Sequence, residues 1–161
     1  HHAAQPMKTK TEPDMQRAFF RTLTIASITT LLTACAGMGA SSYGPRPACP
    51  TAQQMEQPEL LGRWSVQMDG EPGPITIDLG PHPEWDGTVK GSITRPGFQS
   101  IVVGDVNKGE LTMEESRDGK SVSGNWYGTV AEGSCARIIR GEWAGSDDRS
   151  LKFTMRKSAQ Q

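Results

Sequence analysis

The chain has 161 residues, and its 17 Lys and Arg nearly balance its 18 Asp and Glu. A nearly neutral chain without a basic stripe argues against nucleic acid as a partner. The length suits one domain with an extension. The sequence begins His1-His2, and we expect residues 1–14 to be a tag remnant and an N-terminal extension, with translation starting at Met7 or Met15.

The next segment has the order of an export signal. Arg17 and Arg21 come before an uncharged run from Thr22 to Ala34, which ends in small residues and Cys35. About 20 apolar residues are needed to cross a bilayer, and this run has about 13, diluted by threonines. The pattern predicts a signal peptide over residues 15–34 that is removed and not retained.

The end of this segment, Leu32-Thr33-Ala34-Cys35, resembles the lipobox of bacterial lipoproteins. The resemblance implies that Cys35 is lipidated and becomes the new N-terminus, so that no transmembrane helix is needed. In that family an aspartate after the cysteine favours the inner membrane. Because Ala36 stands there, we expect a lipid-anchored protein of the outer membrane, facing either the periplasm or the cell surface. An ordinary secretory signal is the alternative.

Two further cysteines, Cys49 and Cys135, make an even pair in an oxidising compartment, which predicts a disulfide between them. One or two free thiols are the alternative. Residues 35–59 are predicted to be the lipidated cysteine and a flexible tether rich in Gly, Ser, Ala and Pro. Within it, residues 51–56 are predicted to contain a helical turn.

From Leu60 onward the sequence alternates apolar and polar residues with a period of two, which is typical of half-buried strands. The predicted strands cover residues 60–69, 75–79, 87–94, 100–106, 110–114, 121–130, 135–143 and 151–155. Tight turns separate them, as at Asn107-Lys108-Gly109. We predict an all-β domain over residues 60–157, an antiparallel up-and-down meander closed into a small eight-stranded barrel, followed by a tail over 158–161. A two-sheet sandwich is the alternative.

Three strands share the motif G-x-W, at Trp64, Trp126 and Trp143. Together with Leu61-Gly62-Arg63-Trp64, these motifs give the domain a resemblance to the small barrels of the lipocalin, avidin and metalloprotease-inhibitor type. The chain lacks the rest of a lipocalin signature and a recognisable set of biotin-contacting residues. The resemblance therefore implies the architecture and no particular ligand.

The sequence offers little catalytic chemistry. Beyond the predicted signal the only histidine is His82, between two prolines, and no serine lies in a G-x-S-x-G motif. No cluster has metal-ligand spacing. The adjacent pairs Glu114-Glu115 and Asp147-Asp148 are interpreted as solvated charge. We therefore predict no catalytic residues, no metal, no cofactor and no enzymatic activity.

The remaining candidates are binding residues. Trp64, Trp126 and Trp143 are predicted to point inward, where they either fill the core or line a pocket for a small hydrophobic ligand; Trp85 is counted with them toward the buried area. Alternation also places Arg137 inward, where it would need a carboxylate or an anionic ligand. A bulge that turns Arg137 outward is the alternative.

These observations favour a non-enzymatic outer-membrane lipoprotein whose barrel makes contacts with an envelope or host protein. One alternative is a carrier or sensor of a small hydrophobic ligand. Another is an inhibitor of a protease or lysozyme, as the metalloprotease-inhibitor barrels are. Those inhibitors present their N-terminal segment to the enzyme, which is awkward where that segment is tied to lipid and to Cys135.

Overall fold

The computed structural model describes residues 45–159. The predicted tag remnant, signal peptide and lipidated Cys35 lie outside the described residues. The described part contains a 3₁₀ turn (Ala52–Gln54), one short helix α1 (Gln57–Leu60) and eight strands. The strands are β1 (Gly62–Met68), β2 (Ile75–Pro81), β3 (Val89–Arg95), β4 (Phe98–Asn107), β5 (Glu110–Ser116), β6 (Gly124–Val130), β7 (Ile138–Gly145) and β8 (Ser150–Lys157).

Every strand pairs antiparallel with the next one in the chain, and β8 pairs with β1. The closing pair runs from Trp64 opposite Lys157 to Met68 opposite Phe153. The predicted closed up-and-down barrel is confirmed, and the two-sheet sandwich is not formed. Closure pairs every strand on both sides and leaves no open sheet edge.

Two-residue turns hold the register where the sequence predicts hairpins. Between β4 and β5, Lys108 and Gly109 have φ values of 49° and 84°, and the flanking Asn107 and Glu110 are paired. Positive φ at both central positions is the geometry of a type I′ turn, whose twist matches that of the strands. The Asn-Lys-Gly hairpin prediction is therefore confirmed.

The interior of the barrel is built by alternation along the strands, as the period of two predicts. In β1 the buried residues are Trp64, Val66 and Met68, and the residues between them are exposed. One G-x-W glycine also makes room for a ring on another strand. A Cβ on Gly124 would lie 2.3 Å from Nε1 of Trp143, so only glycine fits beside that indole.

The two ends of the barrel differ in what they carry. The N-terminal end carries α1, the β2–β3 loop (residues 82–88), the β4–β5 turn, the β6–β7 loop (residues 131–137) and the end of β8. The opposite end carries the other four connections. We call it the ion-pair end, because a buried Arg95–Glu115 pair lies there.

The segment before β1 is part of the core and not only a tether. Ala52, Met55 and Leu60 are buried, the last two with no exposed surface, and they belong to the same apolar cluster as the barrel interior. The prediction of a flexible tether up to residue 59 therefore differs from the structure over residues 52–59. The predicted helical turn is present as the 3₁₀ turn, where the Thr51 amide donates to the Gln54 side chain over 3.0 Å.

Candidate functional site

The three tryptophans of the G-x-W motifs lie inside the barrel. Trp64 and Trp126 have no exposed surface and Trp143 is 2% exposed. Trp64 Nε1 donates to the carbonyl oxygen of Leu60 over 2.8 Å, which ties the first strand to α1. Trp126 lies opposite Trp143 across β6 and β7 and packs edge-on against Phe153, with the ring centroids 4.9 Å apart. The indoles thus occupy the space in which an internal ligand would lie.

A buried ion pair fills the interior at the ion-pair end. Nη1 of Arg95 lies 2.5 Å from Oε1 of Glu115, and Nη2 lies 3.0 Å from Oε2. The side chains are 4% and 0% exposed. Trp126 and Trp143 each donate an indole N–H to Glu115 Oε2 over 3.1 Å. One carboxylate therefore joins β3, β5, β6 and β7.

The interpretation of Glu115 as solvated charge is wrong. Glu115 continues the inward-facing series of Leu111 and Met113 on β5, whereas Glu114 is exposed. The sequence signal was present in this alternation, but a carboxylate is almost never fully buried unless it is paired. Its partner, Arg95, lies two positions after the buried Ile93 at the end of β3, where the sequence indicated only a turn.

The electrostatics of this pair favour the ionised carboxylate. Burial acts to raise the pKa of Glu115, but the hydrogen bonds and positive charge of Arg95, together with the Trp126 N–H, lower that pKa below its ordinary value. Donors aimed at a charged carboxylate stabilise it even where water is excluded. The Arg95 guanidinium also lies 5.9 Å from the Trp126 ring and 5.4 Å from the Phe98 ring.

The predicted disulfide is present at the N-terminal end. It joins Cys49 to Cys135 across 86 residues, with the Cα atoms 4.4 Å apart. The bond fastens the segment before α1 to the β6–β7 loop. Nearby, the Lys157 ammonium donates to the Glu59 carbonyl oxygen and lies 5.3 Å from the Trp64 ring. Burial, and secondarily the charge of Arg137, lowers the pKa of Lys157.

The structure corrects the inward placement of Arg137. Cys135 and Ala136 have φ values of 53° and 57°, so the backbone before Ile138 leaves the regular strand conformation and β7 begins later than predicted. Arg137 is exposed, in agreement with the outward alternative. Its main chain donates to Ser134 O over 3.1 Å and accepts from Lys157 N over 2.9 Å. It is not brought together with the three interior tryptophans.

The large apolar side chains outside the barrel are a second group of candidates that sequence reasoning missed. They are Trp85 (58% exposed), Tyr127 (53%), Val122 (45%), Ile101 (44%) and Phe98 (40%). The prediction that Trp85 contributes buried area is therefore wrong, because it lies in the β2–β3 loop. The predicted sixth strand begins at Gly124 and not at Ser121, which leaves Val122 in a loop.

Two of these residues line a shallow groove on the barrel wall. The groove has a volume of about 270 Å³. Ile101, Val103 and Val122 are its apolar lining, and Lys90, Glu114 and Lys120 are charged side chains in the same lining. Surface apolar side chains with charged residues around them are typical of contact sites for other proteins.

His82 organises the loop that carries Trp85. Its Nδ1 accepts the main-chain N–H groups of Glu84 and Trp85 over 3.1 and 3.2 Å. Its ring stacks on the Trp85 indole at a centroid distance of 4.2 Å and an interplanar angle of 7°. His82 thus fixes the conformation of an exposed aromatic side chain.

Residues 45–159 contain no candidate for a metal site or a membrane-spanning helix. This part of the chain has no group of three or more His, Cys, Asp or Glu side chains placed to hold a metal ion. It also contains no helix of the length and hydropathy required to cross a membrane.

No protein-family model matches the chain, and no curated protein is significantly similar to it.

Proposed function

We propose that this chain is a non-enzymatic, lipid-anchored protein of the bacterial outer membrane whose barrel makes protein contacts through its outer surface. The observation that carries the proposal is the occupied interior. Trp64, Trp126 and Trp143 fill it with at most 2% exposure, and Glu115 holds two of these rings by hydrogen bonds. The outer wall and loops are then the surfaces that remain for recognition.

The closure of both ends of the barrel supports the same proposal. At the N-terminal end Met55 and Leu60 pack on the core without exposed surface. At the ion-pair end the interior is filled by the Arg95–Glu115 pair, whose side chains are 4% and 0% exposed. A ligand that enters the barrel would have to displace either this apolar cover or the ion pair, together with several interior side chains.

The outer surface has the residue types that dominate protein–protein contacts. Interface hot spots are enriched in aromatic and arginine side chains at the centre of an otherwise polar area. The Phe98–Arg117 pair and the groove of Ile101, Val103 and Val122 supply such a combination at the β4 and β5 side of the barrel.

The anchoring part of the proposal rests on the sequence. The resemblance of Leu32-Thr33-Ala34-Cys35 to a lipobox, with Ala36 after it, supports lipidation and the outer membrane. The described chain begins at Pro45, ten positions after Cys35.

The inhibitor alternative is less well supported. An N-terminal segment that inserts into an enzyme has to be free, and here Cys49 is bonded to Cys135 while Met55 is buried in the core.

The proposal is tested in two steps. The mass is measured on protein extracted from native membranes, and the photo-crosslinking is carried out in those membranes before extraction. The intact mass should show acyl chains on Cys35, and an unmodified Cys35 would remove the anchor from the proposal. A photo-crosslinking residue at Ile101 in the groove should then capture one partner protein in a reproducible ratio. The matched control is Thr112, which is exposed on β5 outside the groove. Equal capture from both positions, or none from either, would contradict the proposed contact.

A further inference from the structure

The exposed Trp85 lies at the same end of the barrel as the start of the described chain. β2 ends and β3 begins at the N-terminal end, and Gln57 Nε2 of α1 donates to the carbonyl oxygen of Thr88 in the β2–β3 loop over 2.7 Å. The disulfide between Cys49 and Cys135 fixes the preceding segment to this same end. A lipid on Cys35 would therefore attach the barrel by the end that presents Trp85.

Covalent geometry limits how far this end can be from the anchor. Pro45 lies ten positions after Cys35, and a fully extended chain covers at most about 3.6 Å per residue, hence about 36 Å in all. The opposite end of the barrel is farther from Pro45, by up to the length of a strand of seven residues, about 23 Å. The β2–β3 loop is thus held near the bilayer surface at a high effective concentration, which allows a weak contact to form.

The loop presents the indole in a fixed conformation. The His82 ring stacks on it, and the same histidine accepts the main-chain N–H of Trp85. Tryptophan is enriched at membrane interfaces because its ring is largely apolar and its N–H needs a polar partner. The neighbouring Glu84 and Asp86 are carboxylates, so an uncharged, zwitterionic lipid surface suits this loop better than an anionic one.

We infer that the β2–β3 loop is a membrane-contact element whose Trp85 side chain enters the interfacial region of the bilayer that holds the lipid on Cys35. This inference rests on the lipid anchor of the proposed function. The contact orients the barrel, because it places the N-terminal end toward the bilayer and leaves the ion-pair end and the groove of Ile101, Val103 and Val122 accessible to a partner protein.

The test uses the full lipidated chain, reconstituted into phosphatidylcholine vesicles whose acyl chains carry bromine near the headgroup. The chain has four tryptophans, of which Trp64, Trp126 and Trp143 are buried and Trp85 is exposed. We expect bromine to quench part of the tryptophan emission, and Trp85→Phe to abolish that quenching. Replacing phosphatidylcholine in part by phosphatidylglycerol should reduce it.

A matched variant carries its exposed indole on the barrel wall. Tyr127 is 53% exposed at the middle of β6, so Tyr127→Trp combined with Trp85→Phe should show no bromine quenching. Quenching of this variant equal to that of the original chain would mean that the barrel lies on its side, and it would overturn the inference.

Flotation of the same vesicles separates the two proposals. Protein that floats without quenching of Trp85 retains the anchor and contradicts the contact. Protein that does not float lacks the anchor, and both proposals then fail. Trp85 could also be shielded from acrylamide in native membranes but accessible in lipid vesicles that contain this chain and no other protein. In that case the loop binds a protein and not the lipid, which also overturns the inference.

Discussion

The two ends of this barrel are closed by opposite means. The N-terminal end is covered by a segment outside the sheet, through the apolar side chains of Met55 and Leu60 and the disulfide from Cys49 to Cys135. The ion-pair end is filled from within by a charged pair, Arg95 and Glu115. An apolar cover therefore tolerates gradual loss of contacts, whereas a buried charge depends on every one of its partners.

The largest effect should follow from removal of Glu115. Glu115→Leu leaves the Arg95 guanidinium and the indole N–H groups of Trp126 and Trp143 buried without their acceptor. Breaking one side of a buried pair typically costs about 3–5 kcal/mol, and we expect a loss of that size in the free energy of unfolding measured with urea. The control is Arg63→Ala, because the Arg63–Asp78 pair is largely exposed, and its midpoint should move far less.

A second variant asks whether the charge or the shape of this end matters. If Arg95→Met combined with Glu115→Leu were as unstable as Glu115→Leu alone, the unpaired guanidinium would not be the cause. We expect the double variant to recover part of the loss, since apolar replacements of both partners remove the buried unpaired charge.

At the N-terminal end, the disulfide should have the next largest effect. Its loop of 86 residues sets a ceiling of about 4.6 kcal/mol in the chain-entropy model, and native bonds typically contribute about 2–4 kcal/mol. Urea unfolding of the oxidised and the reduced chain measures this difference. An unchanged midpoint after reduction would show that the cover holds without its covalent link.

Truncation of the cover itself should cost less. Met55→Ala removes a side chain without exposed surface, and buried Met→Ala changes cost about 2–5 kcal/mol. We expect about 2 kcal/mol, because the short segment can settle into the space. Hydrogen exchange should rise in residues 52–60 and not in β5. The control is Gln53→Ala in the same turn. Because Gln53 is exposed, this change should leave the stability and the hydrogen exchange unchanged.

The smallest expected effect is the loss of stability at acidic pH, which should arise at the ion-pair end. The pKa of Glu115 in the folded chain lies below the ordinary value of 4.5, so the stabilisation from Glu115 is complete above that value. It is lost as the pH falls through the folded pKa, since protons then bind to both states. Urea midpoints measured from neutral to acidic pH should fall less steeply in Glu115→Gln than in the original chain. Equal slopes would mean that Glu115 does not titrate differently in the two states.

Much of the barrel follows from period two alone. The inward series Trp64, Val66 and Met68 is visible in the sequence, and so is the even pair of cysteines that forms the disulfide. Strand ends are less predictable. The positive φ values at Cys135 and Ala136 interrupt an alternation that otherwise extends to Arg137, because a local backbone conformation overrides the apolar pattern there.

The ion-pair end was the part that sequence reasoning could not assemble. Arg95 and Glu115 are 20 residues apart, and each is ordinary as an isolated charge at a strand end. Only the closed register, which brings β3, β5, β6 and β7 around one point, pairs them and supplies two indole donors. The prediction for Trp85 was wrong in the opposite direction, because a residue expected to be buried is exposed. The size of an apolar ring favours burial but does not determine it.

Side chains of the chain itself fill the barrel, and we therefore propose that recognition takes place on the outer surface. The most direct test is a fluorescence titration of Trp85→Phe, in which only Trp64, Trp126 and Trp143 remain, with fatty acids, a phospholipid and haem. We predict no saturable change in tryptophan emission at ligand concentrations below those at which the ligands themselves aggregate. A saturable change with one ligand per chain would contradict the claim and show that the interior admits a guest.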